Sequence, residues 1–435
     1  MSHSSDPARV LETRGLARVE GEGAMRVVVR DERVTEVQLQ IYEPPRFFEA
    51  LLRGRGYTEP PDITARICGI CPVAYQLSAC LAIEDACGVA VSEEIRLLRR
   101  VLYCGEWMES HALHIYLLHA PDFLGYPSAL ELARDHPDLV ERGLRLKKAG
   151  NAILTTIGGR AVHPVNVKVG GFYRFPEPEE LSALLTVLER AREDAIATVR
   201  LVAGFDFPDF EQPHEYLALR TETGEYPLES GHLVSSAGRS FAAQSFDEYV
   251  SEHQVPWSNA LHARLAGGLY VVGPLARFTL NSAGLTPLAR GAAAEAGLGS
   301  ECRSPFRSIV VRAVELLHAC DEAIGILGTW CGRGAPAVTV APREGTGYGV
   351  TEAPRGVLYH RYELSADGTI RTARIVPPTS QNQASIEDDL RSLVQSRLHL
   401  DDAELTHRSE QAIRNYDPCI SCATHFLDLT VDRGA

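Results

Sequence analysis

Apolar and polar positions change period several times along the chain, and each change predicts a new element. Between residues 14 and 42, Arg26-Val-Val-Val-Arg30 and the alternating run Val34-Thr-Glu-Val-Gln-Leu-Gln-Ile-Tyr42 read as strands. Asp31-Glu-Arg33 between them predicts a hairpin. After the break at Pro44-Pro45 a short helix is expected over 46–52, and a further helix runs through Leu77 to Ala86. Ser92 can cap a helix starting at Glu93-Glu94, because its hydroxyl can accept a free N–H of the first turn. Ile95, Leu98, Val101 and Leu102 then recur at helical spacing, and the helix is predicted to reach about residue 119. Further helices are expected over 139–157 and 178–202, with irregular chain over 163–171. From 206 to 300 the pattern loosens into short β-like runs such as Gly268-Leu-Tyr-Val-Val-Gly273, read as strands and loops. An apolar helix returns over 305–330, β structure over 337–377, and two short helices near 385–397 and 407–414.

The pattern predicts a helix-dominated α+β fold, a long central helix bundle with small antiparallel sheets at its periphery. No internal repeat, low-complexity tract or linker divides it, so residues 1–435 are read as one unit. Within that unit lie an N-terminal hairpin (14–42), a helical core (62–205), a β and loop region (206–300) and a mixed C-terminal part (301–435).

Composition narrows the class. The 435 residues are 45% hydrophobic and 23% charged, the mix of a soluble globular protein. No run of about 18 uncharged apolar residues predicts a membrane span. The opening Met-Ser-His-Ser-Ser-Asp-Pro has neither the basic lead nor the apolar core of a secretory signal, so it reads as a polar tail on a cytoplasmic protein. A net charge of −14 argues against nucleic acid as the main partner.

Ten cysteines without an export signal favour metal ligation over a disulfide framework. Cys80, Cys87, Cys104, Cys302, Cys320 and Cys331 are expected to be core residues. Ligand spacing occurs only in Arg66-Ile-Cys-Gly-Ile-Cys71 and Asp417-Pro-Cys-Ile-Ser-Cys422. Two CxxC pairs can enclose a metal, and a structural zinc site or an iron–sulfur cluster are both open readings. Against a zinc module, Cys71 and Cys419 are 348 positions apart (419 − 71) in a chain long enough to bury a core unaided.

The residues around the pairs resemble those of nickel–iron hydrogenase large subunits. Beyond the two CxxC signatures, Val19-Glu-Gly21, Arg46-Phe-Phe-Glu49, His163-Pro164 with Val169-Gly-Gly171, and Glu352-Ala-Pro-Arg-Gly356 stand in the family's order. The resemblance spans nearly the whole chain and implies the family's large-subunit fold. It implies that Cys68 and Cys419 bind nickel alone, while Cys71 and Cys422 bridge nickel to an iron carrying cyanide and carbon monoxide. By the same resemblance Cys419 receives a proton from H₂ and Glu20 relays it. Arg355 holds the cyanide side of the site, under a canopy shared with Pro354 and Asp417. Glu49 and His425 would bind a magnesium ion, with a main-chain carbonyl near 374–375 as a third ligand. Two positions depart from the common pattern. Tyr75 stands where a histidine often hydrogen-bonds the bridging sulfur, and Ser110 where a canopy carboxylate often stands. Both point to the cytoplasmic NAD(P)-linked or sulfur-reducing branch.

The expected reaction is H₂ ⇌ 2H⁺ + 2e⁻. The chain has no cysteine cluster left over for an electron relay and no GxGxxG opening a βαβ unit, so its electrons must leave through partners. The implied partners are an iron–sulfur small subunit and, beyond it, a flavin diaphorase using NAD(P). A maturation protease and nickel chaperones are implied too. The protease would remove residues 426–435, unless this tail is retained. A non-catalytic relative such as the quinone-site subunit of complex I is disfavoured because such chains have lost the four cysteines. A scaffold protein holding zinc on its four paired cysteines stays open at this point.

Overall fold

The computed structural model describes residues 8–424. Its N-terminal sheet contains the expected hairpin, Gly23–Arg30 against Arg33–Ile41. Asp31 and Glu32 both have positive φ, 47° and 58°, the geometry of a mirror-image two-residue turn that matches the strand twist. A third strand, Arg9–Thr13, pairs with the first; its short run carries no alternation that would announce it.

The bundle consists of Pro72–Cys87, Glu93–Leu113, Pro137–Gly158, Pro178–Ala203 and Ser308–Leu327. Ser92 caps as expected, its Oγ accepting from Ile95 N at 3.4 Å. The helix expected to run to about 119 changes character instead: a π-helical turn, His114–His119, follows Leu113. That wider turn presents His114 and His119 to the C-terminal segment, where they meet Arg414 O at 2.8 Å and Asn415 Oδ1 at 3.0 Å.

The helix carrying the first cysteine pair is buried nearly all round. The strand Gly345–Ala353 lies directly on it. A Cβ at Gly347 would sit 2.0 Å from Ala82 O, and one at Gly349 2.3 Å from Ser78 O, so only glycine permits this approach. The strand is the first of an antiparallel meander with Gly356–Leu364 and Ile370–Val376.

Three regions differ from expectation. Between 206 and 300 the strands are present, but so are the helices Pro274–Asn281 and Pro287–Glu295, whose small residues and short spans give no clear period. Among the described residues the paired strands are antiparallel except Tyr270–Val271 beside Glu215–Arg220, which is parallel. The first of the two short C-terminal helices is a long one, Pro378–Ser396, followed by Asp402–Arg414. Its first turns, Thr379 to Gln383, are polar yet buried, and two of these side chains bond distant backbone: Gln381 Nε2 donates to Val357 O at 2.6 Å, and Asn382 Oδ1 accepts from Val272 N at 2.9 Å. Cys331, expected in the core, is exposed, whereas Cys80, Cys87, Cys104, Cys302 and Cys320 are buried. Among the described residues no helix is long and apolar enough to cross a membrane.

Candidate metal centre

The first cysteine pair sits at a helix start. Cys71 is the N-cap residue of Pro72–Cys87, and Cys68 lies just before it in extended conformation. This turn folds back so that Ile70 N and Cys71 N point at Cys68 Sγ, at 3.3 and 3.4 Å. The helix start is held by Glu106 from the Glu93–Leu113 helix. Its carboxylate accepts from Val73 N at 2.6 Å and Ala74 N at 3.1 Å, satisfying two of the donors that a helix N-terminus leaves free.

The second pair arrives on a strap that follows the Asp402–Arg414 helix. Asn415 O accepts from Ser308 Oγ at 2.7 Å and Arg312 Nη1 at 2.8 Å, and Cys419 N donates to Thr379 Oγ1 at 3.1 Å. The strap is thereby tied to two helices on either side. It brings Cys419 Sγ to 3.5 Å from Cys68 Sγ, and Cys422 Sγ to 3.5 Å from Cys71 Sγ. All four sulfurs lie within 4.8 Å of one another and all are buried. Burial pushes the Cys419 and Cys422 thiols up, while hydrogen bonds from the surrounding cysteines pull Cys68 well down. Four thiols this close cannot ionise together unaided; a cation among them removes the conflict by replacing the shared protons.

Glu20 reaches this cluster from the N-terminal segment. Its carbonyl accepts from Ile420 N at 3.0 Å, and its Oε2 stands 3.0 Å from Cys419 Sγ and 3.1 Å from Ser421 N. Arg355 comes from the two-residue turn between Gly345–Ala353 and Gly356–Leu364, with Pro354 beside it and both buried. Its Nε donates to Asp417 O at 2.6 Å and its Nη2 to Asp417 Oδ1 at 3.1 Å. Burial opposes its charge, but Asp417 and the thiols more than offset that, so its pKa stays above the ordinary value. Burial pushes Asp417 up, with Arg355 opposing. Arg355 Nη1 and Asp417 Oδ2 are buried with no hydrogen-bond partner among the described residues. Such orphaned polar atoms call for a group that the protein itself does not provide.

The turn is carried by a network that sequence reasoning missed. Arg277 donates to Pro354 O at 2.9 Å and Ala353 O at 2.8 Å, pairs with Glu352 at 3.2 Å, and forks onto Glu315 with two bonds of 2.7 Å. Tyr226 and His111 complete the Glu315 shell at 2.7 and 3.0 Å. These partners are separated by tens to hundreds of residues, and no local pattern announces them. Glu106 was missed for the same reason, although a glutamate on the buried face of a helix was a usable signal.

The two departures resolve differently. Tyr75 is buried, and burial, followed by the nearby cysteines, raises its pKa; a hydrogen bond to Cys422 adds to the shift, so the phenol makes a contact with the Cys422 sulfur. Ser110 is fully buried, and its hydroxyl has no partner among the described residues. Glu49 accepts from Ile375 N at 2.7 Å, which places that backbone beside it, and burial raises its pKa to about 7. His425 and residues 426–435 lie outside the described residues.

A family model described as nickel-dependent hydrogenase matches residues 46–157 and 329–425. The alpha subunit of sulfhydrogenase 1 from Pyrococcus furiosus is 34% identical over 95% of this chain and 97% of its own. The chain belongs to the nickel-dependent hydrogenase family. The alpha subunit of sulfhydrogenase 2 from the same organism is 35% identical over 97% of this chain and 100% of its own. A crystal structure of an NAD+-reducing NiFe hydrogenase in the H₂-reduced state superposes with a TM-score of 0.88 at 28% identity, covering 97% of this chain and 100% of that one. The helix-dominated α+β fold is thus a hydrogenase large-subunit fold, and the chain is a hydrogenase of the sulfhydrogenase-like branch. Its four soft sulfur donors and the unpartnered Arg355 Nη1 near them fit the nickel–iron pair that this family carries.

Proposed function

We propose that this chain is the catalytic subunit of a cytoplasmic hydrogenase that interconverts H₂ with two protons and two electrons. The observation that carries the proposal is the meeting of four buried sulfurs, from cysteine pairs 351 positions apart, with a carboxylate on one of them. A nickel–iron pair, with cyanide and carbon monoxide on the iron, would supply the heterolytic splitting of H₂. Cys68 and Cys419 would hold nickel alone, and Cys71 and Cys422 would bridge.

The chain's own residues handle the proton and the surroundings. Cys419 is the thiolate best placed to receive a proton, because its sulfur stands beside a carboxylate, that of Glu20 at 3.0 Å. Glu20 passes the proton outward as a general base. Arg355 keeps its charge in this buried setting and turns an unpartnered donor to the site, which suits an anionic ligand on the metal. Asp417 fixes that guanidinium with two hydrogen bonds, and Pro354, held by Arg277, precedes it in the turn. Glu49, the backbone near Ile375 and His425 would hold magnesium.

The electrons pass to an iron–sulfur small subunit and then to a flavin diaphorase using NAD(P). The sulfhydrogenase and NAD+-reducing relatives support that assignment, and so does the lack of a second four-cysteine cluster among the described residues. A maturation protease and nickel chaperones would act on it before assembly. Metal analysis together with infrared spectroscopy tests the reading. Nickel and iron in near-equal amounts, with bands from diatomic ligands, are expected; zinc alone without such bands would overturn it. The purified chain by itself is expected not to reduce NAD(P) with H₂.

A further inference from the structure

Arg46 belongs to a motif in which only Glu49 has so far been given a task. Its Nη2 donates to Ile67 O at 2.7 Å and also to Ser421 O. Ile67 immediately precedes Cys68, and Ser421 immediately precedes Cys422. Its backbone N–H donates to Thr424 O at 2.8 Å. One residue therefore touches both cysteine arms, through a single guanidinium nitrogen shared between two carbonyls.

The surrounding turn reinforces this hold. Glu43, three residues earlier, accepts from Ser421 Oγ at 3.1 Å, so Ser421 is gripped at both its hydroxyl and its carbonyl. Phe47, the next residue after Arg46, has φ 55°, a left-handed conformation that a bulky side chain disfavours. Such a conformation persists where neighbouring contacts over-determine it. Among the described residues Arg46 pairs with no carboxylate, so its charge is directed at the carbonyl dipoles of the two arms. A guanidinium is always charged, and its Nη2 lies one bond farther from the backbone than a lysine ammonium, so a lysine here does not reach the same point between the two carbonyls.

We propose that Arg46 is a latch that holds the two cysteine arms closed around the metal and slows its escape. It is a positioning residue, not a ligand. The proposal rests on the reading of the four cysteines as nickel ligands. Without the latch the second arm keeps its Glu20, Glu43 and backbone Thr424 contacts, but no side chain here bridges it to the first arm, and opening would expose the sulfurs one pair at a time.

The test is nickel retention by the assembled, metal-loaded enzyme in excess chelator, followed by elemental analysis over time. Charge-assisted hydrogen bonds of this kind predict that Arg46→Ala loses nickel about ten- to a hundredfold faster than the parent. Guanidinium ion at millimolar concentration should restore retention, because the half-buried site leaves a gap of its shape; ammonium at the same ionic strength fills less of that gap and should restore less. Arg46→Lys is expected to lose nickel about tenfold faster, since it keeps the charge but ends one bond short of the two carbonyls, and it carries the test should the alanine variant fail to accumulate. Retention equal to the parent in either variant, or equal rescue by ammonium, overturns the proposal. Absence of nickel from the parent enzyme would instead refute the reading of the cysteines.

Discussion

Replacing Glu20 by glutamine separates its chemistry from its architecture. The carboxylate's Oε2 makes two contacts, to Cys419 Sγ at 3.0 Å and to Ser421 N at 3.1 Å. The backbone makes the third, from Ile420 N to Glu20 O at 3.0 Å. Glutamine preserves the backbone contact and can accept from Ser421 N with its amide oxygen. It cannot take a proton from Cys419. Loss of a positioned general base costs about 10²–10⁴ in rate. At about 1.36 kcal/mol per decade that is roughly 2.7–5.4 kcal/mol of lost transition-state stabilisation. The structural loss is one charge-assisted bond weakened to a neutral one, about 1 kcal/mol, so the melting midpoint should fall by only a few degrees. Glu20→Asp draws the carboxylate back by about 1.5 Å, one carbon–carbon bond, and should fall between the two. The assay is H₂-dependent dye reduction on enzyme whose nickel content has been measured. A glutamine variant with full nickel and more than a tenth of the parent rate would refute Glu20 as the proton acceptor from Cys419.

Three further outcomes follow from the same geometry. Arg277→Met leaves the buried Glu315 carboxylate without its main partner and frees the carbonyls of Ala353 and Pro354, so about 3–5 kcal/mol of stability should be lost in denaturant titration. Adding Glu315→Leu should recover a large part of that loss, and no recovery would show that the pair is not coupled. Gly356→Ala places a Cβ 2.6 Å from Val272 Cγ2 and 2.7 Å from Gly273 N at φ 132°, which should cost about 2–4 kcal/mol, whereas a change within about 0.5 kcal/mol would mean the Arg355 turn is not built as described. Magnesium affinity of the chelator-treated protein should rise with pH up to about 7 and flatten above, because burial favours the protonated Glu49 up to about pH 7 and the ion must displace that proton. Calorimetry showing a flat profile between pH 5 and 7 would remove Glu49 from the site.

Much of the metal centre was legible because its chemistry is local: a CxxC turn needs only four residues to aim two sulfurs, and each pair is such a turn. The long helices were legible too, since burying one face imposes a period on about 20 residues at a time. What could not be read was long-range satisfaction of polar groups. The polar residues Thr379 to Gln383 carry no helical apolar period in sequence, yet they are buried helix, and Gln381 and Asn382 bond backbone far away in the chain. Glu106 and Arg277 are similar: their partners include backbone atoms brought in by the fold, which any sequence could present. The short helix Pro274–Asn281 was hidden because it carries the buried Arg277 on an otherwise small span. Cys331 was misplaced because it follows an apolar helix that ends at Leu327, before the cysteine.

X-ray absorption at the nickel edge of the assembled enzyme addresses the central claim directly, because it counts the sulfur atoms around one metal. Four sulfur neighbours in the parent, falling by one in Cys68→Ser, are predicted. Nickel surrounded mainly by oxygen or nitrogen, or unchanged by loss of Cys68, would contradict the account.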